Sequence, residues 1–222
     1  MIDFATARRM MVDGQIRPND VTDPRILAAM MDVPRERFLP PAKSPMAYLD
    51  LDLPVLAGPD GRARRRMVKP MLLAKMIQAA EILDTDSVLD VGCGFGYSSA
   101  VIAQLARSVV ALEEDAALTL GAKESLYALG ITNVSAETGP LSAGYAARAP
   151  YDVIVLQGAT EVEPQMLFPQ LRDGGRLVCV RGVNAGKATL YRRSGDDVSG
   201  WPVFDATASV LPGFTATPAF VF

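Results

Sequence analysis

The feature that most constrains the fold is a glycine-rich turn between an apolar segment and a helix-forming one. Residues 87–91 read Ser-Val-Leu-Asp-Val, and glycines follow at positions 92, 94 and 96. Glycine permits a sharp turn and lets a ligand approach the backbone closely, while the start of the next helix offers free N–H donors. The order of strand, glycine turn and helix predicts a parallel α/β unit that binds a ligand at the carboxyl end of its strand.

The chain beyond residue 70 alternates between predicted helices and strands. This alternation indicates a mostly parallel sheet with helices on both faces, which is a Rossmann-like α/β fold. Two later strand-like runs have no helix between them and predict antiparallel strands that complete the sheet. The predicted helices cover about 70–83, 96–106, 115–129 and 165–171, and the predicted strands 87–91, 109–112, 134–137, 152–156, 176–180, 188–192 and 203–211.

The first 69 residues have a different character. Apolar residues at helical spacing predict a helix from Phe4 that closes near Gly14, and Asp23-Pro24 predicts the start of a second helix. Residues 34–70 are rich in proline, aspartate and arginine, so we expect loops with one short strand at most. A length of 222 residues suits one domain. We therefore expect a single domain, with residues 1–69 as a helical and loop extension on the substrate side and 70–222 as the cofactor-binding core.

Two carboxylates accompany the glycine turn. Asp90 lies at the end of the first strand, where it can receive the amino group of an amino-acid-like ligand, and Glu113 ends the next strand, where it can accept ribose hydroxyls. Tyr97 follows the third glycine, so the spacing differs from the dinucleotide pattern G-x-G-x-x-G. These features together indicate S-adenosylmethionine. The alternative is a tight turn beside a solvated carboxylate; that alternative does not account for the shared register of the glycines and both acids.

The chain has no histidine, and this absence excludes several kinds of chemistry. Ser-His-Asp and Cys-His catalysis and histidine-bound metals all need the imidazole group. Two cysteines, Cys93 and Cys179, are too few for a disulfide framework and favour a reducing compartment. Cys93 can be a thiolate nucleophile or a turn residue that contacts the cofactor, and we favour the second role because no base accompanies it.

Charge and hydropathy bear on location and partners. The net charge of −3 favours neither nucleic acid nor an anionic membrane as partner. The first residues lack the layout of a signal peptide, and no apolar stretch has the length of a transmembrane helix. We expect a cytoplasmic monomer that binds neither nucleic acid nor membrane.

Several runs resemble the protein-L-isoaspartate O-methyltransferase family. They occur in the family's order and span roughly residues 10–180. The runs include Met11-Val12, Val33-Pro34-Arg35-Glu36, Ala47-Tyr48, Asp50, Leu53-Pro54, Gly96-Tyr97-Ser98-Ser99-Ala100-Val101, Ala149-Pro150-Tyr151-Asp152 and Gly174-Gly175-Arg176-Leu177-Val178. The resemblance implies a repair enzyme that uses S-adenosylmethionine, without a metal, to methylate the α-carboxylate of L-isoaspartyl residues in damaged proteins.

The resemblance also implies site residues. Those expected at the cofactor are Asp90, Gly92, Cys93, Gly94, Gly96, Tyr97, Glu113 and Gly139. Those expected at the substrate are Tyr48, Asp50, Arg66, Met67 and Val68.

The chain departs from the family pattern in three places. The family loop reads Gly-Gln-Thr-Ile-Ser-Gln-Pro; alignment on Pro70 sets Val68 at the serine, whose hydroxyl faces the reacting carboxylate, and Arg66 at the threonine. Pro140 replaces the acidic residue of Gly-Asp-Gly, and Gln157 begins the segment that reads Thr-Ala-Ala in the family. The residue acting on the acceptor is thus unassigned.

Two interpretations follow from these departures. The first is an active carboxylate methyltransferase, and the second is a non-catalytic or re-purposed homologue that binds the cofactor and acts on another acceptor or as a sensor. The basic run from Arg62 to Lys69 leaves a related choice open. Arg65 and Arg66 either bind an anionic substrate or belong to a solvated loop, whereas we expect Arg62 and Arg64 at the surface.

Overall fold

A computed structural model of the chain describes residues 2–217 and contains two sheets. The larger sheet has seven strands in the order β5-β4-β3-β6-β7-β8-β9, and the smaller is an antiparallel hairpin of β1 and β2. Strands β5 to β7 run parallel, whereas β8 and β9 are antiparallel, as the sequence predicts. The strands are β1 Leu53–Ala57, β2 Ala63–Met67, β3 Ser87–Val91, β4 Ser108–Glu113, β5 Val134–Thr138, β6 Tyr151–Thr160, β7 Leu171–Arg181, β8 Lys187–Ser194 and β9 Asp197–Asp205.

Five α-helices accompany the sheets, and each begins close to its predicted start. Aspartate side chains accept backbone N–H groups at three of these starts: Asp3, Asp23 and Asp115. Within residues 2–217, none of the helices combines the length and the apolar character needed to cross a membrane. The helices are α1 Phe4–Met11, α2 Pro24–Asp32, α3 Pro70–Ala80, α4 Tyr97–Ala103 and α5 Ala116–Ala128, with a π-helical turn at Val12–Ile16.

Three predicted elements differ from the structure. The segment 34–70 contains the β1–β2 hairpin where loops with at most one short strand were expected. Residues Gln165–Gln170 form a 3-10 helix rather than an α-helix, because Pro169 lies inside it and cannot donate an α-helical hydrogen bond. The last strand is Asp197–Asp205, not 203–211; its side chains are mostly exposed at the sheet edge, so it lacks the apolar pattern by which a strand is recognised.

The N-terminal extension and the core share one apolar cluster. Met11, Met30 and Phe38 are fully buried and belong to the same cluster as Leu73 of α3 and Val101 of α4. This packing holds the extension beside the carboxyl ends of β3 and β4. The β1–β2 hairpin at the end of the extension consequently lies over the glycine turn, where the candidate site is found.

Candidate functional site

The turn after β3 has the backbone conformation that its glycines predict. Gly92, Gly94 and Gly96 have φ values of 81°, 57° and 93°, in the left-handed region that other residues adopt only with strain. The N–H groups of Gly92 and Cys93 donate to Leu112 O of β4 at 2.7 and 3.2 Å. The turn is therefore tied to the neighbouring strand and leads directly into α4.

Asp90 is fully buried at the end of β3 and accepts three side-chain hydrogen bonds. The hydroxyls of Ser98 and Ser99 donate to Oδ2 at 2.6 and 2.5 Å, and Gln157 Nε2 donates to Oδ1 at 2.6 Å. Burial raises the pKa of Asp90, while these three donors lower it. Gln157 was not predicted as a partner of Asp90, although its position on β6 beside β3 follows from the strand order.

Glu113 is fully buried at the end of β4, where the sequence analysis expects a carboxylate facing ribose. The N–H groups of Gly94 and Glu114 donate to its two oxygens at 2.9 and 3.0 Å. In this structure the remaining contacts come from Arg65. The Nη2 atom of Arg65 lies 3.0 Å from Oε2 of Glu113, and its Nε atom lies 3.3 Å from each carboxylate oxygen.

Arg65 contacts two of the predicted cofactor residues, Gly92 and Glu113, although it was not itself predicted at the cofactor. It projects from β2, is only 4 % exposed, and donates from Nη2 to Gly92 O at 2.6 Å as well as pairing with Glu113. Its neighbour Arg64 is exposed and pairs with Glu114. The side chains of a strand alternate between its faces. Recognising β2 as a strand would therefore have separated the buried arginine from the exposed one.

The other residues expected at the cofactor surround the same turn. Burial raises the pKa of the Cys93 thiol well above its usual range, and the charges of Asp90 and Glu113 raise it further. Such a thiol stays protonated, which agrees with a turn residue rather than a nucleophile. The ring of Tyr97 packs under the Arg35 guanidinium, 4.6 Å from carbon Cζ to the ring centroid. The Gly139 N–H donates to the Glu113 backbone carbonyl at 3.0 Å.

The residues expected on the substrate side fall into two groups. Arg66, Met67 and Val68 line a cavity together with the glycine turn. Tyr48 and Asp50 lie outside that cavity and have structural partners. The Tyr48 hydroxyl donates to Glu36 and accepts from Arg8 Nε at 2.9 Å, and Asp50 accepts the Met71 N–H at 3.0 Å. Asp50 thus satisfies a free donor in the first turn of α3, a role that its loop position did not reveal.

The residue types at this site fit S-adenosylmethionine, but the hairpin encloses them. The methionine end of the ligand requires the glycine turn and a carboxylate such as that of Asp90. The ribose requires a second carboxylate, such as that of Glu113. The cavity beside the turn measures about 10 Å³, which is room for one water molecule. Leu211, from the segment after β9, also covers the turn: a Cβ atom on Gly92 would lie 3.0 Å from its Cδ2. The site is thus present in a closed form.

This fold, with a glycine turn after β3 and carboxylates ending β3 and β4, defines the class of S-adenosylmethionine-dependent methyltransferases with a Rossmann-like sheet. The model of one family within this class, described as Protein-L-isoaspartate(D-aspartate) O-methyltransferase, matches residues 7–202. The chain belongs to this family.

Relatives agree with this assignment, and solved structures share the fold. A protein-L-isoaspartate O-methyltransferase from Koribacter versatilis is 41% identical over 175 residues, covering 79% of this chain and 76% of the relative. Protein-L-isoaspartate O-methyltransferase 1 from Rhodopseudomonas palustris strain HaA2 is 41% identical over 198 residues, 88% of this chain and 78% of the relative. A solved protein-L-isoaspartate O-methyltransferase has the same fold, with a TM-score of 0.79 at 24% identity over 93% of this chain and 66% of that chain.

A second solved structure extends the fold comparison. It comes from Plasmodium falciparum and is in complex with S-adenosyl-L-homocysteine. It superposes with a TM-score of 0.76 at 15% identity, covering 92% of this chain and 97% of its own. At that identity the agreement concerns the arrangement of the sheet and helices.

Proposed function

We propose that the chain transfers a methyl group from S-adenosylmethionine to the α-carboxylate of L-isoaspartyl residues in damaged proteins. The observation that carries this proposal is the match of the family model over residues 7–202. The carboxylates at the ends of β3 and β4 support it, because both lie at the glycine turn, where S-adenosylmethionine would bind. The product ester is the activated form from which a succinimide and then an aspartyl residue can arise.

The chemistry suits a chain without histidine. When bound, S-adenosylmethionine supplies a methyl group activated by the sulfonium. A carboxylate oxygen of the acceptor forms the new bond to that methyl carbon while the carbon–sulfur bond breaks, which leaves a methyl ester and S-adenosylhomocysteine. The acceptor carboxylate is already ionised at neutral pH, so no general base is needed. Alignment and exclusion of water are the tasks left to the protein.

The proposal assigns roles to the residues around the turn. Glu113 would accept the ribose hydroxyls, and Asp90 would face the amino group of the methionine end. The residues we propose at the cofactor are Asp90, Gly92, Cys93, Gly94, Gly96, Tyr97, Glu113 and Gly139. Arg66, Met67 and Val68 would meet the acceptor, because they line the cavity beside the turn.

The experiment that tests this function uses radiolabelled S-adenosylmethionine with an isoaspartyl peptide and the matched aspartyl peptide. We expect transfer to the isoaspartyl peptide alone, with loss of transfer in Asp90→Ala. Calorimetry of S-adenosylhomocysteine binding on the same preparation separates cofactor binding from catalysis. Binding without transfer to varied acceptors would contradict the proposal and favour a cofactor-binding homologue without this activity.

We also propose that the protein acts in the cytoplasm as a monomer and without nucleic acid. The net charge of −3 supports the absence of nucleic-acid binding, and so do the contacts made by the basic run from Arg62 to Lys69. In this structure Arg65 is engaged in a buried ion pair, and Arg66 Nη1 donates to Asp52 O at 3.2 Å, so the run does not form a broad basic face. Light scattering would check the monomeric state, and a nucleic-acid binding assay at low salt would check the absence of nucleic-acid binding.

A further inference from the structure

We infer that Arg65 is an internal competitor of the cofactor: its guanidinium occupies the ribose-accepting carboxylate of Glu113 and must leave before the nucleoside binds. This inference rests on the proposed function, since it concerns the same site. It goes further by assigning control of cofactor affinity to one residue of the β1–β2 hairpin.

The carboxylate of Glu113 has no free oxygen. Backbone N–H groups of Gly94 and Glu114 already donate to it at 2.9 and 3.0 Å, and Arg65 supplies the other donors from Nε and Nη2. Both charged partners are at least 96 % buried, so the pair is shielded from water. A ribose can use this carboxylate only by replacing the guanidinium, because the backbone donors belong to the turn itself.

The space above the glycine turn is also taken by Arg65. A Cβ atom built on Gly92 would lie 2.8 Å from Nη2 of Arg65, so the guanidinium packs directly on the backbone that the ligand must approach. Its Nη2 donates to the carbonyl of this glycine at 2.6 Å. The cavity that remains beside the turn is about 10 Å³. A cavity of this size cannot hold a nucleoside while the guanidinium stays on the turn.

The hairpin that carries Arg65 is joined to the rest of the protein by side-chain packing and not by pairing with the larger sheet. Among the residues that the structure describes, strands β1 and β2 pair only with each other and are not part of the seven-stranded sheet. Two-stranded hairpins have little stability of their own. The chain just after the hairpin is fixed, because Arg35 Nη2 donates to Val68 O and Asp52 accepts the Lys69 N–H, both at 2.8 Å. The inference therefore requires the hairpin to shift relative to this anchored segment when Arg65 leaves Glu113.

An affinity comparison tests the inference. If only the open state binds, the apparent dissociation constant equals the intrinsic one divided by the fraction of open molecules. We therefore expect Arg65→Gln and Arg65→Lys in the full chain to bind S-adenosylhomocysteine at least about tenfold more tightly than the wild type. Calorimetry gives the constants, and circular dichroism verifies folding. The lysine variant keeps a positive charge near Glu113 and guards against unfolding of the glutamine variant.

Arg64→Gln is the matched control. It removes the same charge from the same strand, but Arg64 is exposed and pairs with Glu114 at the surface. We expect its affinity to lie within about twofold of the wild type. Equal or weaker binding by the Arg65 variants would overturn the inference while leaving cofactor binding by the family site intact. Failure of every form to bind at millimolar concentrations would overturn both the inference and the proposed function.

Discussion

Gln157 donates its side-chain amide to Oδ1 of Asp90 at 2.6 Å and so joins the ends of two neighbouring strands, β6 and β3. With Ser98 and Ser99 on Oδ2, the aspartate accepts three neutral donors and has no cationic partner among its hydrogen bonds. Its charge is therefore held by dipoles in a site closed to water. Burial in this site favours the protonated form of Asp90, so protonation of its carboxyl stabilises the folded protein.

Asp90→Asn should stabilise the apo protein increasingly as pH rises. Burial raises the pKa of Asp90 in the folded protein above the unfolded-state pKa of 3.8. The protonated carboxyl therefore contributes fully to the free energy of unfolding below the unfolded-state pKa, and this contribution is lost as pH rises through the folded-state pKa. Asparagine does not ionise and keeps that contribution. The difference in Tm between variant and wild type should be small at pH 4 and positive at pH 7, as measured by calorimetric melting. Asp60→Asn at an exposed position is the control, and an equal trend in that variant would contradict the assignment to Asp90.

Asp90 and Glu113 could be located from the sequence because their positions depend on local patterns. Each ends an apolar strand, and the carboxyl ends of neighbouring parallel strands meet at one edge of the sheet. The glycine spacing then identifies the same edge. The helices were predictable for a similar reason, since caps such as Asp23-Pro24 act over a few residues.

Arg65 could not be placed in this way, because its partner lies 48 residues further along the chain. The contact depends on a hairpin whose strands carry weak signals: β2 reads Ala-Arg-Arg-Arg-Met, which has no apolar alternation. A shift of one residue in its register would bury Arg64 or Arg66 instead. The partners of Tyr48 and Asp50 were equally hard to predict, since they depend on how the extension folds on itself and against α3.

Arg35→Met should lower the free energy of unfolding by about 3 kcal/mol. The buried guanidinium donates to Ala47 O and Val68 O at 2.8 Å each, and the substitution leaves both carbonyls without these donors. Urea denaturation measures the loss. Arg37→Met is the control, because Arg37 is exposed in the same 3-10 turn and should change stability by less than about 0.5 kcal/mol. Equal losses would show that the two carbonyl contacts contribute nothing.

Gly92→Ala should abolish cofactor binding, reducing affinity by at least about a hundredfold. The added methyl group would stand on the face of the turn that a ligand approaches, 2.8 Å from Arg65 Nη2. Gly130→Ala controls for backbone strain, since Gly130 also has a positive φ, of 69°, but no atom lies within 4 Å of its Cβ position. Both variants should lose about 1–2 kcal/mol of stability from the left-handed conformation. Unchanged S-adenosylhomocysteine binding in Gly92→Ala would place the ligand elsewhere.

Val68→Ser should raise methyl transfer to an isoaspartyl peptide. Val68 is nearly buried on the cavity wall beside the turn, at the position where the family loop carries a serine. A hydroxyl there can donate to the acceptor carboxylate and align it, which is worth about tenfold or more in rate. Val68→Ala removes the same apolar contacts without adding a donor, so both variants should lose similar stability, about 1–2 kcal/mol.

The comparison between these two variants decides what Val68 does in this chain. A serine variant at least about tenfold faster than the alanine variant in kcat/KM would show that the wild-type protein lacks one alignment contact and otherwise holds the acceptor as the family does. Equal rates for the two variants would show that another group, such as Arg66 on the same cavity wall, aligns the acceptor here. Loss of activity in both variants would indicate that the valine itself packs against the acceptor.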